Sequence, residues 1–490
     1  MKKYKVNDYW LLIAVIVLFI YFFIRLMDQS SIASEFPLDI HSDYTYHLAR
    51  IHFMEKYGYD SAVLNWHNGM SNLLRYYPPG FFFFSLPLQM IFNNPGLTMF
   101  AAVALIYLIA LLFFIYFYRG MSLIKRIAFF IFFFGNPIAI SYLLRLGKIP
   151  EMFGWLWFIP AAALIFYYKE HKLDAYFLAF FSVIGALTII SHPSVFIVLS
   201  LLMASLFLVK GNRERMLIIL SGVISLVLSS FWWYRLVFDA SKVTLASYSP
   251  MSWLLAEGPH LGDKALSIAI PIIFFALFYF YYKEKKDFLF YLVPLAIAVL
   301  LITRIIVFIP YLNRPAPDTY NFFFIFLSLY LLFNTKFDAK LLNYINYLII
   351  LLPIAGIIFS IMITPWYTSH NRVSENMISL MPYIDDKFII LKHPDYNAPD
   401  YPNYLYSYSA IYYNLSTPAG MEIEQIPSWF KNKVNNLENL IENKDCDMLK
   451  SELISLDTKY VISYDKYCSV LKDCNFVEER SVNSACLFKL

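Results

Sequence analysis

The stretch FPLDIHSDYTYHLARIHFMEKYG, residues 36–58, decides how the rest of the chain is read. It follows the first long apolar run and leads to a second landmark, LLRYYPPGFFFF, residues 73–84. Asp43, His47 and Arg50 stand at i, i+4 and i+7, so a helix here puts them on one face. Asp39 joins that stripe if the helix starts early. A carboxylate, an imidazole and a guanidinium on one face beside a bilayer point to a site, because such groups are costly on a lipid-facing surface.

The bilayer itself follows from composition. The chain is 59% hydrophobic and 15% charged, with 47 Phe and 39 Tyr, whereas soluble domains carry about 25% charged residues. The apolar residues fall in runs that approach the roughly 20 residues a spanning helix needs. The expected fold is an α-helical polytopic membrane protein. Eleven spans are predicted, at about 8–27, 97–118, 127–143, 151–168, 174–190, 194–209, 216–233, 265–282, 288–303, 318–333 and 342–363. The first is expected to be a retained anchor, since no small-residue cleavage site follows it. With this count Lys2/Lys3/Lys5, Arg119/Lys125/Arg126, Lys169/Lys172, Lys210/Arg213/Arg215, Lys283/Lys285/Lys286 and Lys336/Lys340 all fall on one side. The positive-inside rule makes that side cytoplasmic, with the N-terminus in the cytoplasm and the first outer loop, 28–96, outside. FFFFSLPLQMIF, residues 81–92, is too short to span easily and would invert the later clusters if counted, so it is expected to be an interfacial or re-entrant helix.

Residues 1–364 thus form a transmembrane domain, and residues 365–490 a small extracytoplasmic α+β domain. In the latter, 457–465 and 485–490 are expected to be strands and 428–443 an amphipathic helix. All four cysteines lie there: Cys446, Cys468, Cys474 and Cys486. They allow up to two disulfides in any of three pairings, or buried thiols. Asn414-Leu-Ser is a glycosylation sequon.

The outer loops carry the unusual chemistry. Besides the first loop there are Arg145, Lys148 and Glu151 in RLGKIPEMFGW, His192 in SHP, and Arg304 and Arg314 after the ninth span. A carboxylate can act as a general base toward an acceptor hydroxyl. Carboxylates and histidines, here Asp43, Glu151 and His192, can hold a divalent cation such as Mg or Mn. Arginine and lysine can clamp a phosphate. Each residue also has a plainer reading. Asp43 and Glu151 can be acids favoured at helix starts, and His47 and Arg50 can pair with Asp43 or face headgroups. His192 can cap a turn, and Arg304, Arg314 and Lys148 can snorkel or meet headgroups. The set as a whole suits transfer of a sugar from a lipid-linked phosphate donor.

The order of these features resembles the GT-C glycosyltransferase superfamily: a first span, an outer loop with D-x-x-x-H-x-x-R, a Y-P-P element, many spans and an outer C-terminal domain. DYTYHLARI is similar to the first-loop segment of oligosaccharyltransferase catalytic subunits. YYPPGFFFF is similar to the proline element of protein mannosyltransferases and aminoarabinose transferases. HSDYTYHLARI, NLLRYYPPG, GKIPEMFGWLWFIP and SHPSV together look like the membrane proteins labelled 6-pyruvoyl-tetrahydropterin synthase-related, a label that implies no pterin chemistry here. The resemblance implies a GT-C-like bundle, a polyprenyl-phosphate-linked sugar donor, a glycan, lipid or protein acceptor, and no nucleic-acid partner. It gives Asp43 the place of the catalytic or metal-binding acid, with Asp39 as its competitor, and Glu151 that of the second-loop acid. His47, Arg50, Arg145, Lys148, Arg304 and Arg314 are then expected to bind acceptor or donor. The chain departs from oligosaccharyltransferases in lacking D-x-D or E-x-D in its second loop and W-W-D-Y-G in its tail. A transporter or lipid flippase and a non-catalytic scaffold are the rival functions. The near absence of charge inside the spans argues against transport.

Overall fold

The computed structural model describes residues 3–36, 43–70, 74–75, 77–239, 250–256, 261–364, 366, 372–391, 401–420 and 426–490. The chain divides into two compact units. The first comprises Met1–Gln29, Val103–Phe231 and Ser247–Pro365, and the second Ser30–Ala102, Trp232–Ala246 and Trp366–Leu490.

Helices cover all eleven apolar stretches. By length and apolarity alone, five of the described helices can cross a bilayer: Asp8–Ala33, Pro95–Phe117, Ile149–Glu170, Leu261–Lys285 and Ala339–Ile363. The pair Leu123–Phe134 and Pro137–Arg145, bent by 42°, makes a sixth if it is one span. Ala175–Ser191, Pro193–Val209 and Phe288–Ile302 are apolar but shorter, and Pro317–Asn334 is richer in polar residues. The chain is a multi-pass membrane protein, and the predicted count of eleven exceeds what helix length alone supports.

Within the first unit, Ile149–Glu170 is the central helix. Its apolar window is 89% buried, against 22–39% for the other four. Around it sits an aromatic core, with Phe158 and Phe129 each 5.0 Å from Phe326 and Trp155 4.9 Å from Phe158. Such large rings fill volume with few rotatable bonds. The outer helices turn their apolar side chains outward instead. Ile16, Phe19, Ile20 and Phe23 are all exposed on the first helix, as lipid contact requires. Where helices touch, small residues let them approach. A Cβ on Gly185 would lie 2.4 Å from Ser225 Oγ, whose hydroxyl donates to Ser182 O at 2.9 Å. Strand β1 (Lys3–Tyr4) pairs antiparallel with β2 (Phe337–Asp338) at one end of this unit.

The second unit joins the stretch after the first helix to the tail. Its sheet has the order β3 (Phe388–Ile390), β4 (Tyr460–Tyr464), β6 (Ala485–Lys489), β5 (Val477–Val482), with β3 parallel to β4 and the other pairs antiparallel. The two central strands are buried, while β5 exposes Glu479 and Arg480 at the edge, a charged rim that discourages further pairing. The amphipathic helix Ser428–Glu442 buries Phe430, Leu437, Leu440 and Ile441. The cysteines form two disulfides, Cys446–Cys474 and Cys468–Cys486. The loop is stitched to the tail by hydrogen bonds: Asn65 Nδ2 donates to Leu415 O at 2.8 Å, and Trp66 Nε1 to Tyr406 O at 3.2 Å. Lys56 donates to the sequon's Asn414 Oδ1. Gly420, at φ +150°, passes so close to Trp66 that a Cβ would meet its side chain at 2.9 Å.

The segment expected to be interfacial is the helix Gly80–Phe92. Its first turn buries Phe81 and Phe82, but beyond it the amphipathicity is inverted. Ser85 and Gln89 are buried, whereas Phe83, Pro87, Met90 and Ile91 are exposed at helical spacing. Gln89 Nε2 donates to Glu55 Oε2 at 2.6 Å and Gln89 Oε1 accepts from Thr98 Oγ1 at 2.8 Å. Polar groups turned inward and apolar ones outward suit an apolar surround.

Candidate functional site

In the second unit the helix Tyr44–Tyr57 forms as the i, i+4, i+7 spacing predicts. Asp43 occupies its N-cap position, is half-buried, and makes no side-chain capping bond, so the helix does not use it as a cap. Its carboxylate instead sits in the positive field of the helix start. His47 and Arg50 are each only 2% exposed. Arg50 lies 3.8 Å above the Tyr77 ring and its Nη1 is 3.5 Å from His47 Nδ1. The His47 ring lies 5.9 Å from both Tyr77 and Phe82. The two sequence landmarks therefore fold into one cluster, in which the YPPGFFFF aromatics shield a buried guanidinium. Arg50 and His47 are buried within this cluster rather than turned to solvent. Asp60, next in the loop, receives Arg235 and lies 3.9 Å from Arg75 Nε. Asp39 lies outside the described residues.

In the first unit the site is built by an irregular backbone. Ile140–Arg145 is a π-helical turn, a rare form often found at functional sites. Gly147, at φ +77°, then lets the chain turn into the helix Ile149–Glu170, with Lys148 at its N-cap position. Glu151 is in the first turn of that helix and is 2% exposed. Its Oε2 accepts from Tyr142 Oη at 2.9 Å. Its Oε1 accepts from Thr319 Oγ1 at 2.8 Å and from Trp155 Nε1 at 3.4 Å. Asp318, buried beside Thr319, is within electrostatic reach of Glu151, Asp263 and Lys148. Two buried arginines belong to the same unit. Arg145 is 4% exposed and Arg25 3%, each within the other's field. Arg25 Nη1 is 4.0 Å from Asp28 and its Nη2 donates to Thr364 O at 3.4 Å.

His192 links the helices Ala175–Ser191 and Pro193–Val209. A Cβ on Gly154 would lie 3.3 Å from His192 Cβ and 3.0 Å from Val195, so Gly154 admits this corner one turn from Glu151. Arg304 donates to Ser267 Oγ at 2.5 Å, Lys264 O at 2.8 Å and Leu301 O at 3.4 Å, which ties helix ends together and leaves fewer donors for a ligand. Arg314 is exposed and Lys148 half-buried. Asp43, His47 and Arg50 thus stand in the second unit, and Glu151, Arg145, Lys148, His192, Arg304 and Arg314 in the first. Among the described residues, no three His, Cys, Asp or Glu side chains converge on a point that would hold a metal ion.

Sequence reasoning missed Tyr142, Thr319, Asp318 and Arg25. Asp318 has the appearance of an ordinary acid at a helix start after Pro315 and Pro317. Its predicted place on the same side as Glu151 was the available signal.

No protein-family model and no curated protein sequence matches the chain. Solved structures are similar in fold. One is the archaeal oligosaccharyltransferase AglB from Archaeoglobus fulgidus, solved with an inhibitory peptide and a dolichol-phosphate. Its TM-score is 0.51 at 11% identity, and the match covers 91% of this chain and 69% of that one. Another is the arabinofuranosyltransferase AftD from Mycobacteria, with a TM-score of 0.54 at 11% identity, covering 99% of this chain and 40% of that one. In fold, this chain is similar to an oligosaccharyltransferase and an arabinofuranosyltransferase.

Proposed function

We propose that this chain is a GT-C-type glycosyltransferase that moves a sugar from a polyprenyl-phosphate-linked donor to a glycan, lipid or protein acceptor on the outer face of the membrane. The observation that carries the reading is the buried polar cluster around Glu151, with two arginines and Lys148 in the same unit, in a fold similar to that of two glycosyltransferases. The archaeal relative in fold was solved with a dolichol-phosphate, itself a polyprenyl phosphate. By sequence, this reading places the chain with the proteins labelled 6-pyruvoyl-tetrahydropterin synthase-related, which its motifs resemble.

In this reading Asp43 takes the proton from the acceptor hydroxyl, with Asp39 as the alternative acid. The acceptor oxygen bonds to the anomeric carbon, and the bond from that carbon to the phosphate oxygen breaks. The phosphate leaves with the electron pair, and Arg145 and Lys148 stabilise it, with Arg304 and Arg314 in lesser roles. Glu151 organises the polar cluster of the first unit, while in the second unit His47 and Arg50 position Asp43. A divalent cation, Mg or Mn, would be held by Asp43, Glu151 or His192 and would neutralise the leaving phosphate. No step above depends on it. The N-terminus lies in the cytoplasm and the tail outside.

The test compares lipid-linked sugars and outer-surface glycans, by mass spectrometry, in membranes holding wild-type protein or Asp43→Asn. A glycan lost in the variant, with its lipid-linked precursor accumulating, is the expected result. Identical profiles at equal protein levels, with the glycan present in both, would overturn the reading.

A further inference from the structure

The first unit buries two polar side chains, Asp318 and Asn321, that take no part in the transfer steps. They stand at i and i+3 on the helix Pro317–Asn334, which puts them on one face. Asp318 is 9% exposed and Asn321 0%. Among the described residues, Asp318 forms no ion pair and no hydrogen bond of good geometry. Asn321 lies close enough for its amide to act on that carboxylate, yet its Nδ2 and Oδ1 both lack a hydrogen-bond partner. A helix start favours an acid such as Asp318. That accounts for the carboxylate and leaves Asn321 unexplained, since buried amides are ordinarily hydrogen-bonded.

The surroundings select the ligand. Thr319, next to Asp318 in the chain, donates to Glu151 Oε1 at 2.8 Å, so the open pair adjoins the Glu151 cluster. Lys148, a base assigned above to the donor phosphate, is within electrostatic reach of Asp318. A carboxylate accepts from hydroxyls, and a carboxamide both donates and accepts. Together they match a polyol, whose hydroxyls also do both. A polyol beside a phosphate is what a glycosyl phosphate presents. A metal ion at this pair would lack a third carboxylate or imidazole ligand among the described residues.

We propose that Asp318 and Asn321 bind vicinal hydroxyls of the donor's sugar, next to its phosphate. The Asp318 carboxylate accepts from the hydroxyls. Asn321 donates through Nδ2 to a sugar oxygen and accepts from a hydroxyl through Oδ1. This inference rests on the glycosyltransferase reading and adds to it the residues that recognise the sugar.

The test is native mass spectrometry of the purified full chain in detergent. Undecaprenyl phosphate is added bare, or carrying glucose or mannose. Wild-type protein is expected to retain a sugar-bearing lipid roughly tenfold better than the bare one, the worth of one hydrogen bond to a charged group. Asp318→Asn and Asn321→Ala are each expected to lower that retention to the level of the bare lipid. Retention of the bare lipid and Tm should stay unchanged, because neither substitution removes a hydrogen bond within the described protein. Equal retention of bare and sugar-bearing lipids by the wild type would overturn the proposal without recourse to a variant. A preference that survives both substitutions would also overturn it, as would a fall in Tm that tracks the loss. Each of these outcomes leaves the glycosyltransferase reading standing if the bare lipid is retained. Retention of none of the three lipids by the wild type would overturn that reading and this proposal with it.

Discussion

Asp43 and Glu151 are the two acids that the sequence brings to prominence, and the fold treats them in opposite ways. Glu151 is buried, and both its oxygens accept hydrogen bonds from neutral side chains of three other residues. Asp43 is half-buried at a helix start that does not use its side chain as a cap. A carboxylate surrounded by fixed donors suits holding a structure in one arrangement. A carboxylate with an accessible edge suits receiving a proton from an incoming hydroxyl. On the proposed reading, Asp43 would act on the acceptor and Glu151 would organise its own unit.

The strongest way to break this contrast is at Asp43. Asp43→Asn is expected to lower glycosyl transfer by about 10²–10⁴-fold, the usual worth of a general base, with Tm unchanged. A loss of Tm along with activity would make Asp43 structural and erase the distinction. Next in size is the tail of the same unit. Replacing Cys446 and Cys474 together by serine opens a loop of 28 residues and should cost about 3 kcal/mol. Hydrogen exchange should then rise over residues 426–490 and stay unchanged in Ile149–Glu170. Glu151→Gln presents an amide donor to Tyr142 and Thr319, which are themselves donors, so it should destabilise by about 1–3 kcal/mol. Thermal unfolding would show it, and an unchanged Tm would remove the organising role. The smallest effect lies beside the Asp60 ion pairs. Burial, then the charge of Asp60, pushes the Tyr59 hydroxyl up to about 12. Its ordinary value is about 10. Because the folded value is raised, its contribution to stability is full below about pH 10 and is lost as pH rises through 12. Tyr59→Phe should flatten that alkaline limb, as followed by tyrosinate absorbance and Tm.

Much of the fold was legible because its cause is local. The helices Asp8–Gln29, Leu261–Lys285 and Ala339–Ile363 follow runs of apolar residues that the sequence displays directly. Strands β4 and β6 fall inside the predicted 457–465 and 485–490, and the amphipathic helix is Ser428–Glu442. Strands β3 and β5 were not predicted. Phe388–Ile390 is only three residues long, and Val477–Val482 is an edge strand whose charges hide the alternation. The helical face of Asp43, His47 and Arg50 was predicted, but not that Tyr77 and Phe82 would cover it.

Residue types read in order are enough to make this a polytopic membrane protein, to place its helices, and to show which interhelical stretches hold its acids and bases. Those properties depend on residue type and short-range period, which any window of the chain contains. The cysteine pairing, the stitching of the first loop to the tail, and the partners of Glu151 emerge only when the chain packs. Tyr142 is 9 residues from Glu151 and Thr319 is 168 residues from it. No periodicity reports a contact across that second distance. The same is true of Trp66 and Tyr406, 340 residues apart. These contacts exist because buried polar groups must find partners, and which partner each one finds depends on how the whole chain packs.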